Sequence, residues 1–270
     1  LGDSMAYTCA YYPTPDATLD EAQENKFRLV FEKMNLKPGD KHLDVGCGWG
    51  SMVRYAARQG VKSLGVTLSK EQAEWAQAKI KEEGLEDLAE VRFMDYRDVT
   101  ETGFDGISSI GLLEHIGVKN YASYFEFLAG KLRPGGVMVN HCITYPDNHK
   151  TPQGDFINRY IFPDGELTGS GTIIHEMQDH GFEVFHEENI RFDYMRTLHD
   201  WCENLKANWE EAVALVGENT AKLWGMYMAG SEWGFEHDVV ELHQVVGIKL
   251  AGDGSRAGTP ERRWWNDSVF

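Results

Sequence analysis

The run Lys41-His-Leu-Asp-Val-Gly-Cys-Gly-Trp-Gly50 constrains the fold of this chain more than any other stretch. Leu43 and Val45 stand two apart in a short apolar run, as a buried parallel strand requires, and glycines at 46, 48 and 50 break that strand abruptly. The pattern predicts a strand to residue 45 and a helix from about Ser51. Without Cβ atoms the glycines can take positive φ and let a ligand lie against the main chain, while the first turn of the helix offers N–H groups that have no partner of their own. The spacing Gly46-x-Gly48-x-Gly50 differs from the G-x-G-x-x-G of dinucleotide-binding folds, and no Gly-Lys-Ser/Thr follows to bind phosphates. The loop reads as a nucleotide-type pocket in which phosphate binding is not favoured. On its own it also fits an ordinary Gly-rich turn.

Strands and helices alternate on both sides of this loop. Residues 18–35, with Leu19, Ala22, Phe27, Leu29 and Phe31 among charges, read as a helix. After Gly50 come a helix to about Arg58, a strand over 63–67, a helix opened by Ser69 and a strand over 89–94. Residues 104–110 read as a buried strand, 121–132 as a helix, 133–136 (Arg-Pro-Gly-Gly) as a turn and 137–144 as a strand. Such βαβ alternation implies a parallel sheet. Between 145 and 170 it lapses into Pro146, Pro152, Gly154, Pro163 and Gly165 among Phe156, Tyr160, Ile161 and Phe162, a long aromatic loop of the kind that forms a lid or substrate wall. Beyond it a helix over 172–180, a strand over 182–185, two aromatic-rich helices over 197–216 and 219–231 and a last strand over 239–250 are predicted. The tail carries Arg262-Arg-Trp-Trp265, which reads either as a membrane-interface anchor or as a segment docked on its own domain.

With 270 residues and 42% hydrophobic content the chain has the material for one α/β domain with an insertion, and residues 1–270 are read as one domain. It opens on Leu1 rather than Met, which leaves room for an upstream segment. The formal net charge of −17, from 26 Lys and Arg against 43 Asp and Glu, argues against a nucleic-acid partner and modestly favours capture of a cation. Nowhere do the roughly 18 apolar residues of a membrane span run together. Cys9, Cys47, Cys142 and Cys202 are scattered and read as reduced cytosolic thiols, with no metal site evident.

Asp44-x-Gly46-x-Gly48-x-Gly50 resembles the first motif of class I S-adenosylmethionine (SAM) methyltransferases. Five further stretches occur with it: Tyr7-Thr-Cys-Ala-Tyr11, Gly65-Val-Thr-Leu-Ser69, Ser109-Ile-Gly-Leu-Leu-Glu-His-Ile-Gly117, Tyr160-Ile-Phe-Pro163 and Asp193-Tyr194-x-x-Thr197-Leu-x-x-Trp201. Together they resemble the cyclopropane-fatty-acid synthase family, which includes the mycolic acid methyltransferases of mycobacteria, over about residues 1–250. The resemblance implies an α/β, class I methyltransferase (Rossmann-like) fold with a mostly parallel sheet, helices on both faces and an insertion at about 145–235 that forms the lipid-binding wall. It implies SAM contacts at Tyr7 and Thr8, at Asp44, Gly46, Gly48 and Gly50, at Thr67, Leu68 and Gln72, and at Tyr96 and Arg97. Many class I methyltransferases carry an acid where Thr67 stands, a departure this family shares.

The same family holds a bicarbonate ion beside the transferred methyl group, and the matching positions here are Cys9, Glu114, His141, Ile143 and Tyr194. An alkene carbon that takes a methyl from a sulfonium becomes a carbocation, so the site needs nearby negative charge and a proton acceptor without a strong nucleophile. Glu114 and His141 are expected to orient the ion and Tyr194 to donate a hydrogen bond, with Cys9 and Ile143 acting through main chain. Taken alone, Glu114 beside His115 reads as a solvated loop pair, His141 as a satisfied core histidine and Tyr194 as a buried aromatic with a wet hydroxyl. The implied activity is methylation of the cis double bond of an unsaturated phospholipid acyl chain, giving a cyclopropane, by a cytoplasmic protein in peripheral contact with the membrane. A methylene branch, saturated afterwards by a partner reductase, is the alternative from the same cation, and a small polar metabolite is a more distant one. A homodimer stays open.

Overall fold

The computed structural model describes residues 1–149, 154–163 and 165–266, so Pro152 of the aromatic loop lies outside the described residues. Helix α1 (Leu19–Lys33) starts at a capping box: the Thr18 hydroxyl accepts the Glu21 N–H while the Glu21 carboxylate accepts the Thr18 N–H. There follow β1 (Lys41–Val45), α2 (Ser51–Arg58), β2 (Lys62–Thr67), α3 (Lys70–Glu82, capped by Ser69), β3 (Ala89–Phe93), β4 (Phe104–Ile110), α4 (Tyr121–Lys131) and β5 (Leu132–Thr144). The second half comprises α5 (Asp155–Tyr160), α6 (Ser170–Asp179), β6 (Phe182–Asn189), α7 (Arg191–Ala207), α8 (Trp209–Val216), α9 (Glu218–Glu236) and β7 (Glu241–Lys249).

Among the described residues seven strands form one sheet in the order β3-β2-β1-β4-β5-β7-β6. The pairs from β3 to β5 are parallel, and β7 alone runs antiparallel to both of its neighbours. Alternation along the strands divides the core into two layers. Leu43, Val45, Ile107 and Met138 pack with Tyr124, Phe125 and Leu128 of α4, while Val137, Val139, Val246 and Ile248 pack with Leu29 and Val30 of α1 and Met52 of α2. The mostly parallel sheet with helices on both faces is the fold expected from the sequence. By the same alternation His42, Asp44, His141 and Gln244 belong to the face that α1 covers.

Three local expectations need correction, and one of the two readings of the tail is selected. Arg133-Pro-Gly-Gly136 does not end one element and begin another; it is a bulge inside β5, between the pairs Phe104–Leu132 and Gly106–Val137. The chain over 191–236 forms three helices rather than two. Asn208 interrupts the first pair, and Gly217 at φ 83° divides α8 from α9. The aromatic loop contains a short helix, α5. The tail is docked on its own domain: Trp265 is buried, Trp264 stacks on Phe185 at 5.2 Å, and its indole N–H donates to the Glu32 carbonyl in the last turn of α1 at 2.9 Å.

Candidate active site

The loop after β1 turns as the glycines predict. The Gly46 and Cys47 N–H groups both donate to the Val66 carbonyl of β2, at 3.0 and 2.9 Å, so the loop folds over the end of the sheet before α2 begins. Gly48 has φ 53°, and a Cβ there would sit 3.3 Å from the Tyr7 ring in a cleft that Tyr7, Thr8, Asp44 and Gly46 also line. Gly50 serves packing instead: a Cβ would come within 2.9 Å of Ala76 on α3. Thr67, Gln72 and Tyr7 form a chain over this edge. The Thr67 hydroxyl donates to the Gln72 amide oxygen at 2.9 Å, and the Gln72 amide nitrogen donates to the Tyr7 hydroxyl at 3.1 Å. Leu68 is exposed, Tyr96 packs edge-on to Tyr124 and Phe127, and Arg97 pairs with Asp95 at the surface; none of these three lines the cleft.

Asp44 is held by a directed series of bonds. Ser108 donates to its carboxylate, so the Ser108 oxygen is free to accept from His42 Nε2 at 2.9 Å, which leaves His42 Nδ1 to accept from Ser63 at 2.7 Å. Burial raises the Asp44 carboxyl to about 6, against the lowering effects of Ser108 and of the Lys26 charge. Lys26 itself is fully buried on α1 and donates to the Thr8 hydroxyl at 2.9 Å. Burial pushes its ammonium down to about 7, against the pull of Cys9 and Asp44.

Near the ends of β4 and β5 Glu114, Ile143, Cys9 and Tyr194 are neighbours, and His141 stands two residues before Ile143 on the same face of β5. One Glu114 oxygen accepts the Ile143 N–H at 2.8 Å, so Ile143 acts through main chain, on Glu114. The other Glu114 oxygen and His141 Nε2 are buried without a partner among the described residues. Leaving such atoms unmet costs about 1–3 kcal/mol each, so each has bonding capacity to offer a water or a ligand. Burial raises the Glu114 carboxyl to about 7 and holds His141 well below its ordinary value, to which the charges of Lys26 and Lys33 add. Tyr194 lies buried on α7 against Phe235, ring centroids 4.5 Å apart; burial first, then the charges of Tyr227, Cys9 and Glu114, push its phenol up. The Cys9 thiol is buried, neutral and bonded to the Ala10 carbonyl at 3.0 Å. Glu114 and His141 are thus neither a solvated loop residue nor a satisfied core one.

An aromatic wall adjoins the carboxylate. The Glu166 N–H donates to the Glu114 carbonyl at 2.9 Å, which ties the aromatic loop to the segment that carries Glu114. The His115 ring meets Phe162 at 5.5 Å, Phe162 meets Tyr227 at 5.8 Å, and Tyr227 meets the half-exposed Trp224 at 5.6 Å.

The mycolic acid cyclopropane synthetase family model matches residues 1–245. The chain belongs to that family. This member is 59% identical over 266 residues to a probable fatty acid methyltransferase of Mycobacterium tuberculosis, covering 98% of this chain and 62% of that protein. It is 36% identical over 259 residues to the cyclopropane-fatty-acyl-phospholipid synthase of Escherichia coli K12, covering 95% of this chain and 65% of the synthase. The chain therefore spans somewhat less than two thirds of the length of these relatives. The crystal structure of mycolic acid cyclopropane synthase CmaA1 complexed with SAH and CTAB matches with a TM-score of 0.84 at 32% identity, over 92% of this chain and 91% of that one.

Sequence reasoning missed the lysines and Gln244 behind this site. A signal existed: Leu19, Ala22, Lys26, Leu29 and Lys33 fall on one stripe of α1 at helical spacing, so both lysines stand where apolar residues are expected.

Proposed function

We propose that this family member transfers a methyl group from SAM to the cis double bond of an unsaturated phospholipid acyl chain and forms a cyclopropane ring. The observation that carries this reading is that Glu114 Oε2 and His141 Nε2 are each buried without a partner among the described residues, in a chain that also has a glycine-lined cleft and an aromatic wall against the Glu114 loop. The cleft fits SAM, since a side chain at Gly48 would fill the space between the loop and Tyr7. When bound, SAM supplies an electrophilic methyl group on a sulfonium. Tyr7, Thr8, Asp44, Gly46 and Gly48 would hold it in the cleft; Thr67, Leu68, Gln72, Tyr96 and Arg97 lie along the same sheet edge, and Gly50 packs against α3 behind the loop.

The second site fits a small oxyanion, and bicarbonate is the one proposed. Bicarbonate supplies negative charge and a weak proton acceptor. His141 Nε2–H would donate to it, Glu114 Oε2 would accept from it or donate to it, Tyr194 would add a phenolic donor, and Cys9 would act through main chain. Ile143 fixes the Glu114 carboxyl. Burial keeps the Cys9 thiol protonated, so it offers no thiolate to trap a cation, and the Lys26 amine is turned onto the Thr8 hydroxyl. The insertion over 145–235 supplies the wall for the acyl chain, and the aromatic faces from Phe162 to Trp224 suit both hydrocarbon and a passing positive charge. A small polar metabolite would gain little from that wall.

Leu215, Trp224, Met226 and Trp233 on α8 and α9 are exposed, which supports peripheral contact of these helices with the membrane. Among the described residues no helix is long and apolar enough to cross one. The test is mass spectrometry of lipids from bacteria expressing the full-length protein. Ring-specific fragments support the proposal. Methylene-branched chains would replace it with the alternative, in which a partner reductase follows, and unaltered acyl chains with a methylated polar metabolite would overturn both.

A further inference from the structure

We propose that Lys33 and Gln244 are positioning residues that lock His141 into the tautomer carrying its proton on Nε2, so that the side chain meets its ligand as a donor. The use of that donor rests on the oxyanion reading above; the lock itself does not.

The lock is built from a polar row across three strands. His141 of β5 is the register partner of Gln244 on β7, and Gln244 is the register partner of Glu188 on β6. All three are cross-strand neighbours, so their side chains share the face that α1 covers. Lys33, buried in the last turn of α1, closes the row: it forms an ion pair with Glu188 and donates to Gln244 Oε1 at 2.6 Å. Gln244 Nε2 lies 3.1 Å from His141 Nδ1.

Donor and acceptor chemistry then leaves one arrangement. An ammonium has donors only, so the amide atom facing Lys33 is the oxygen, and the atom facing His141 is the NH₂ group, also a donor. His141 Nδ1 must accept. Burial keeps the ring neutral, with the charges of Lys26 and Lys33 adding to the effect, so it carries one proton, on Nε2. Nε2 is the ring nitrogen that is buried without a partner among the described residues. Were the amide reversed, its oxygen would draw the proton to Nδ1, and Nε2 would present a lone pair that repels an anion. Lys33 thus decides, through the amide, whether the site offers a donor or an acceptor. Glu188 balances the lysine charge; the opposing effects on that carboxyl, burial raising it and His186 and Lys33 lowering it, leave it at about 2.

The experiment labels histidine with ¹⁵N in the full-length protein, assigns His141 by the signals lost in His141→Asn, and reads the protonated nitrogen from two-bond ¹H–¹⁵N correlations. Wild type is expected to show the proton on Nε2. Gln244→Glu, of nearly the same shape, puts an acceptor against both Lys33 and Nδ1 and is expected to move the proton to Nδ1. Its turnover should fall about 10²-fold while SAM affinity is unchanged. The double variant Lys33→Met/Glu188→Gln removes the orienting charge without stranding a carboxylate and is expected to give both tautomers. A wild-type proton on Nδ1, or a Gln244→Glu proton still on Nε2, overturns the lock. A moved proton with full turnover upholds the lock and overturns instead the reading in which His141 donates to an anion.

Discussion

The Ile143 N–H donates to one carboxylate oxygen of Glu114 at 2.8 Å while the other oxygen, equally buried, has no partner among the described residues. A backbone donor on a strand end fixes the carboxyl in orientation and leaves half of its bonding capacity for something that comes from outside. The first prediction follows from that division. Glu114→Gln and His141→Ala should lower turnover by about 10²-fold or more and leave SAM affinity intact, because both act beyond the cofactor cleft. Steady-state kinetics beside calorimetric SAM titration checks this, and stripping dissolved CO₂ should slow wild type until bicarbonate is added back. An enzyme that depends on Glu114 and ignores bicarbonate would point to the carboxylate itself as the base.

Glu114 also ties stability to pH. Burial raises its carboxyl to about 7 from an ordinary value of 4.5, so folding favours the protonated form. That contribution is complete below the ordinary value and is lost as pH rises through the raised one. Glu114→Gln stays neutral and keeps an acceptor for Ile143. In CO₂-free buffer the variant should match wild type at about pH 4 and exceed it at about pH 8, by at most about 3 kcal/mol. Asp44 is common to both proteins and cancels. Denaturant melts that stay parallel across this range would show that Glu114 is hydrated.

At Gly48 a valine meets two obstacles: φ 53° disfavours a branched residue, and its Cβ would press on the Tyr7 ring. Gly48→Val should abolish detectable SAM binding while far-ultraviolet circular dichroism stays native. Wild-type affinity in a folded variant would remove this loop from the cofactor site.

The tail yields a prediction about the fold rather than the membrane. Trp265 is buried and Arg256 forks onto Glu183 with bonds of 2.9 and 2.8 Å. Trp265→Ala should cost about 3–5 kcal/mol of stability, with vesicle co-sedimentation unchanged. Lost vesicle binding at native stability would restore the anchor reading.

How legible all this was in the sequence depended on whether a signal was local. The strand through Val45, its glycine loop and the Ser69 cap came through because each is specified by neighbours in the chain. Glu114, His141 and Tyr194 carry no local mark, and only the family resemblance drew attention to them. Lys26 and Lys33 passed unremarked among the charges of α1, since their burial depends on which strands that helix meets. Gln244 gave no sign at all, because an antiparallel register partner a hundred residues away is set by the closed sheet. The bulge at Arg133–Gly136 read as a turn for a similar reason: β4, not local propensity, draws those residues into the strand.

The antiparallel β7 sets the order in which the protein can be made. It lies between β5 and β6, so β6 has no strand beside it, and β5 stands as an open edge, until the chain has been synthesised through Lys249. On the ribosome α1 and the strands up to β5 can assemble early, yet the helices from α6 to α9 must wait with their strand unpaired. An edge held open for that interval is a template for pairing with another nascent chain. Substitutions that slow insertion of β7 should therefore first appear as poor yield from the cell, in molecules that would have been fully active had they folded.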